Sequence, residues 1–120
     1  DLLELARALL QGTREVEWRS ATSRAYYAAL HAARAYCEAA ALPLPIGASH
    51  ERVIEALQQS KLPDHAKLGQ QLRRLRCERN LADYEIGSDY GQRAARKHLM
   101  ECERAVAKLD ELRARLPAKD

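Results

Sequence analysis

Arg73, Arg76, Asn80 and Tyr84 follow one another at intervals of three and four, the spacing that lines residues along one edge of an α-helix. They offer two guanidinium forks, an amide and a phenol. Guanidinium groups match phosphate oxygens through paired hydrogen bonds, so this edge suits contact with phosphate or RNA. It also suits a solvated face on an arginine-rich helix, which is what charge runs usually are. A second line runs beside it. Leu68, Leu72 and Leu75 are continued by Arg79 and then by Ala82 or Asp83, so a cation and an acid extend an apolar stripe. A guanidinium taken out of water needs a partner. Asp83, one turn on, is a candidate. The acid stands second, the weaker order within a helix, so a partner from another helix is expected too.

Upstream, Ser20, Arg24, Tyr27 and His31 form a similar polar line. It reads either as the rim of the same site across a groove or as a hydrogen-bond network that fixes helix register. His31 has the residue type of a general base near neutral pH, although a lone histidine on a helix is more often structural. His50 falls in the first turn of a later helix, where the helix terminus disfavours its charged form. It reads as a substrate-orienting group or as a surface or capping residue. His65 and His98 stand apart, without a second ligand at metal spacing. Trp18 and Tyr90 read as packing residues at helix ends.

The elements that must carry these groups are helices. The 120 residues fit one domain with one core. Strong helix formers dominate, Phe is absent and Val and Ile are scarce. A first helix is expected over about 1–11, with Leu2, Leu5 and Leu9 inward and Gly12 as its stop. A second runs from about 14 or 19 to 41, buries Ser23, Tyr26, Leu30, Ala33, Cys37 and Ala40, and ends before Pro43 and Pro45. A third follows Ser49 as N-cap and carries Val53, Ile54 and Leu57. A fourth starts with Asp64 as cap and reaches about Ile86, with Gly87 behind it. A fifth runs from Ser88 or Asp89 to Leu116, with Ala95, Leu99, Cys102, Val106, Leu109 and Leu112 inward. The fold expected is an all-α, up-and-down bundle of four to five helices, one domain over 1–120.

Net charge is only +3, so any basic site must be local. Cys37, Cys77 and Cys102 lack metal or disulfide spacing and read as buried thiols of a reducing, cytoplasmic protein. No metal and no cofactor are expected. No apolar run approaches the roughly 20 residues of a membrane span, and no signal-peptide pattern is visible.

Three segments carry a family resemblance. The run Arg19-Ser20-Ala21-Thr22-Ser23-Arg24-Ala25-Tyr26-Tyr27-Ala28-Ala29, with His31-Ala32-Ala33-Arg34 after it, resembles the second-helix signature of HEPN domains (higher eukaryotes and prokaryotes nucleotide-binding). Ser49-His50-Glu51-Arg52-Val53-Ile54 resembles the start of their next helix. Arg76-Cys77-Glu78-Arg79-Asn80-Leu81-Ala82-Asp83-Tyr84 resembles the Arg-x-x-Arg-x-x-Ala-Asp-Tyr form of a bacterial and archaeal branch. The resemblance implies a helical bundle, commonly a homodimer, often beside a minimal nucleotidyltransferase in a toxin–antitoxin pair. It also implies RNA or a nucleotide as ligand. Many members are metal-independent ribonucleases built on an Arg, a polar residue such as Asn, and a His a few positions on. Arg79 and Asn80 match the first two. Tyr84 stands where the His would be, and a phenol, with a reference pKa of about 10, is a poor general base at neutral pH. The resemblance therefore implies a binding module with absent or weakened catalysis. Arg79, Asn80 and Tyr84 would stand at the reaction centre, and Arg24, Tyr27, His31, His50, Arg76 and Asp83 would line the ligand. Tyr84 would also be the candidate for nucleotidylation, which some family pairs use. Two alternatives stay open: an endoribonuclease toxin that pairs Arg79 with a histidine from another helix, and a purely structural bundle.

Overall fold

The computed structural model describes residues 1–45, 47–85 and 90–117. Five helices follow in order: α1 (Leu2–Leu10), α2 (Glu15–Ala39), α3 (His50–Gln59), α4 (Pro63–Tyr84) and α5 (Gln92–Ala114). No strand occurs among the described residues, and the all-α bundle read from composition is the architecture found. No helix is long and apolar enough to cross a membrane.

α2 is the central element and touches all four other helices. Its alanines explain how. Ala21, Ala25, Ala29 and Ala33 are fully buried, and side chains this small let neighbouring helices approach closely. Tyr26, Leu30 and Cys37 fill the core beside them. The chain leaves α2 through a tight closure: the Leu42 amide donates to the Cys37 carbonyl at 3.0 Å, with Ala41 at φ 57°, the left-handed turn that satisfies terminal carbonyls.

Ser49 caps α3 as expected, its hydroxyl accepting from the Arg52 amide at 3.3 Å. α3 then lies close against α4. A Cβ at Gly69 would stand 3.3 Å from the Ile54 carbonyl oxygen, so this glycine permits the approach that brings His50 towards α4. The buried line of α4 is Leu68, Leu72, Leu75, Arg79 and Ala82; the stripe anticipated from spacing, its cation included, faces the core.

Several expectations change. The buried positions of α1 are Ala6 and Leu10, and Leu5 is 44% exposed. The leucine pairs at both ends of α1 offer more than one face, and the one buried carries Ala6 and Leu10. Asp64 is not the cap of α4: the helix starts at Pro63, with Leu62 in the cap position. Proline lacks only an amide the first turn leaves unpaired anyway, and Asp64 becomes a first-turn acid that the helix dipole favours. α4 ends at Tyr84, and Ile86 and Gly87 lie outside the described residues. α5 begins at Gln92, after Tyr90 and Gly91; Ser88 and Asp89 also lie outside the described residues. Within α5, His98 and Ala105 are buried with the expected Ala95, Leu99, Cys102 and Leu109, while Val106 and Leu112 are only partly buried. Cys37 and Cys102 are buried, but Cys77 is exposed, on the outward side of α4.

Candidate functional site

The residues singled out by spacing meet where the last turns of α4 cross α2 and the first turn of α3. Arg79 is the centre. It is 7% exposed, and its Nη1 donates to Asp83 Oδ2 at 3.1 Å. The partner expected from another helix is aromatic. The guanidinium carbon lies 5.3 Å from the ring centre of Tyr26 and 5.4 Å from that of Tyr27, both on α2. Tyr84, on α4 itself, is 6.0 Å away. Ring faces attract a cation most strongly when it has left water, which supports a buried guanidinium here. Asp83 also accepts a hydrogen bond from Ser23 Oγ at 3.4 Å.

His50 completes the cluster from α3. Its Nδ1 lies 3.1 Å from the Tyr26 phenol oxygen, and its ring centre lies 5.5 Å from that of Tyr26 and 5.7 Å from that of Tyr27. Burial first, and then the charges of Arg76, Arg79 and Arg34 and the neighbouring His31, lower its pKa below 6.5. The imidazole is therefore neutral at neutral pH. The sequence reading assigned this depression to the helix terminus; desolvation and the arginines carry it. Burial likewise pushes the Tyr26 phenol up to about 12. The His31 ring lies 6.3 Å from Tyr27 on the exposed side.

Arginines surround this core. Arg73 reaches Glu51 of α3 at 2.8 Å, and Arg76 reaches the same carboxylate at 3.1 Å. Hydrogen bonding to Arg73 holds the Glu51 carboxyl below its usual range. Arg34 donates to the Ala48 carbonyl at 2.9 Å. The Nε groups of Arg34, Arg76 and Arg79 are buried without a hydrogen-bond partner. Buried donors of this kind are costly unless something accepts from them. Four guanidiniums thus gather around two carboxylates, beside a neutral histidine.

Of the nine residues proposed from sequence, seven come together: Arg76, Arg79, Asp83, Tyr84, Tyr27, His31 and His50. Asn80 and Arg24 are exposed, and neither side chain makes a hydrogen bond or ion pair among the described residues. Tyr84 is 72% exposed, an open ring beside the buried cation. Tyr26 and Arg34 were missed as site residues. Arg34 had a signal, since it continues the line Ser20, Arg24, Tyr27, His31 by one more step. Arg19 was missed as well. It donates to the Leu81 and Ala82 carbonyls at 3.2 and 2.9 Å, holding the C-terminal turn of α4 that presents Asp83 and Tyr84. Among the described residues, no group of three or more His, Cys, Asp or Glu is placed to hold a metal ion.

The family model for the HEPN domain matches residues 1–114. The chain belongs to the HEPN family. The match spans every helix, so the five-helix bundle is the HEPN fold of this chain. No curated protein matches this HEPN chain, and no solved structure does.

Proposed function

We propose that this HEPN domain binds RNA or a nucleotide at the Arg79 cluster and acts by binding, with absent or weakened catalysis. The observation that carries this reading is the gathering of four guanidiniums, those of Arg34, Arg73, Arg76 and Arg79, around only two carboxylates, beside the open Tyr84 ring. A phosphate is the anion whose geometry and charge suit such a cluster. The exposed Tyr84 ring adds a face on which a base stacks, the sequence-tolerant contact of single-stranded nucleic acid. Tyr84 also occupies the place of the histidine that would make the motif a ribonuclease. The large apolar side chains Val16, Leu81 and Tyr84 are exposed where the start of α2 meets the end of α4. That surface suits a second copy of the chain, with two Arg79 clusters near one groove. A minimal nucleotidyltransferase as antitoxin partner is proposed on the family resemblance alone. The test is RNA binding by fluorescence anisotropy, with and without Arg79→Ala. Loss of binding in the variant supports the reading, and equal binding by both proteins removes it.

A second reading has one observation in its favour. A neutral His50, with its Nε2 free of any partner among the described residues, shares a ring cluster with Arg79. An imidazole base and a guanidinium that stabilises phosphorane charge are what metal-free RNA cleavage requires. Cleavage of RNA in the presence of a chelator, abolished by both Arg79→Ala and His50→Gln, would establish this reading in place of the first.

A further inference from the structure

We infer that phosphate binding at the Arg79 cluster is coupled to uptake of one proton by His50, so that the site holds RNA more tightly in mild acid. The inference rests on the binding role proposed above and adds its regulation.

The argument starts from what faces His50. From α2 come the Tyr26 phenol, the Tyr27 ring, His31 and Arg34; from α4 come Arg76 and Arg79. Glu51 follows His50 on α3, but its carboxylate is engaged by Arg73 and Arg76. No carboxylate is paired with His50 among the described residues. An imidazolium here would therefore stand among guanidiniums with no carboxylate of its own, and the neutral form wins.

A phosphate seated against this arginine cluster reverses that balance. Its charge offsets the guanidiniums and favours a cation within about 4–6 Å. The proton comes from solvent, and no bond other than N–H is made. Nδ1 is held by Tyr26 at 3.1 Å, so the phenol keeps the ring in place as a positioning residue. Nε2 has no partner among the described residues and is the nitrogen open to a ligand. In the imidazolium both nitrogens donate, one to the Tyr26 oxygen and one to the phosphate. By linkage, whatever raises the proton affinity of His50 when the ligand binds must raise ligand affinity as pH falls.

The experiment uses the full chain and a short single-stranded RNA with 2′-O-methyl riboses, which cannot be cleaved through the 2′-hydroxyl. Affinity is measured from about pH 8 to about pH 6, the range in which histidine changes charge. The expected result is a severalfold tightening, below the limit of about tenfold that a one-unit rise in the pKa of His50 reaches only in more acid solution. Calorimetry in buffers of different ionisation enthalpy should show proton uptake of up to one per site. His50→Gln should bind with an affinity that is flat across this range. His31→Gln should keep the slope. Tyr26→Phe should reduce it, provided circular dichroism shows the variant folded. Binding that is independent of pH in the parent protein overturns the inference and leaves the binding role standing. A slope that survives His50→Gln and disappears in His31→Gln overturns it too, by moving the titration to the other histidine. No binding at any pH would instead remove the underlying reading.

Discussion

The Arg79 guanidinium carbon sits 5.3 Å from the ring centre of Tyr26, a phenol that is itself fully buried. The cation at the centre of the site is thus bedded on the core, and its loss acts on both stability and binding. Removing one member of a fully buried ion pair costs about 3–5 kcal/mol. Asp83 keeps 26% of its side chain exposed, so water recovers part of that cost. Arg79→Ala should destabilise the domain by about 2 kcal/mol, read from urea midpoints. Arg79→Lys should recover most of the stability but not the RNA affinity, because an ammonium does not reproduce the flat fork. Full binding by the lysine variant would show that charge alone suffices.

Tyr84 separates the two roles. At 72% exposed it is held less tightly than Arg79, so Tyr84→Ala should lower the urea midpoint less than Arg79→Ala does. RNA affinity should fall by about 1–3 kcal/mol, the range for one stacked base. Tyr84→Phe should bind as the parent does. A loss with Phe as large as with Ala would assign the work to the hydroxyl rather than the ring.

Arg19 holds the end of α4 from α2 through the Leu81 and Ala82 carbonyls. Hydrogen bonds to a charged group contribute about 1.5–3 kcal/mol. Arg19→Met keeps the apolar stem and should cost that much. Amide exchange in the last turn of α4, before Glu85, should quicken more than exchange in α5. Uniform quickening would mean that Arg19 supports the bundle as a whole.

Acid should loosen the fold. Burial lowers the pKa values of His50, His65 and His98 from 6.5. On acidification the unfolded chain takes up protons at its histidines first, while the folded chain resists, so unfolding is favoured. Stability should be full above about pH 6.5 and decline as pH falls below it. His98, 1% exposed and with Nε2 3.2 Å from the Leu75 carbonyl, should contribute to the slope. His98→Gln keeps a donor, does not titrate and should flatten the profile. Urea midpoints that rise on acidification would contradict this account.

Some of the site is legible in the sequence because local spacing encodes it. Arg79 extends Leu68, Leu72 and Leu75 along one helix face, and a helix keeps that register over its whole length. The line through Tyr27 and His31 is local in the same way. What brings His50 to Tyr26, or Arg19 to Ala82, is tertiary: 24 and 63 residues separate these pairs, and no periodicity reaches across a turn. α1 was misread because its leucines allow more than one inward face, and packing against α2 and α5, not local spacing, chooses between them. Cys77 was misread because its residue type favours burial while its position on α4 faces outward.

The central claim is that RNA or a nucleotide phosphate binds at Arg79. The most direct measurement is a salt titration of RNA binding for the parent protein and for Arg79→Ala. Single strands lose affinity with a log–log slope of about −0.7 per phosphate neutralised, so about three contacts predict a slope near −2. The account predicts that slope for the parent and a weaker, shallower binding for Arg79→Ala. An absence of RNA binding at low salt, or an identical titration for both proteins, would contradict it.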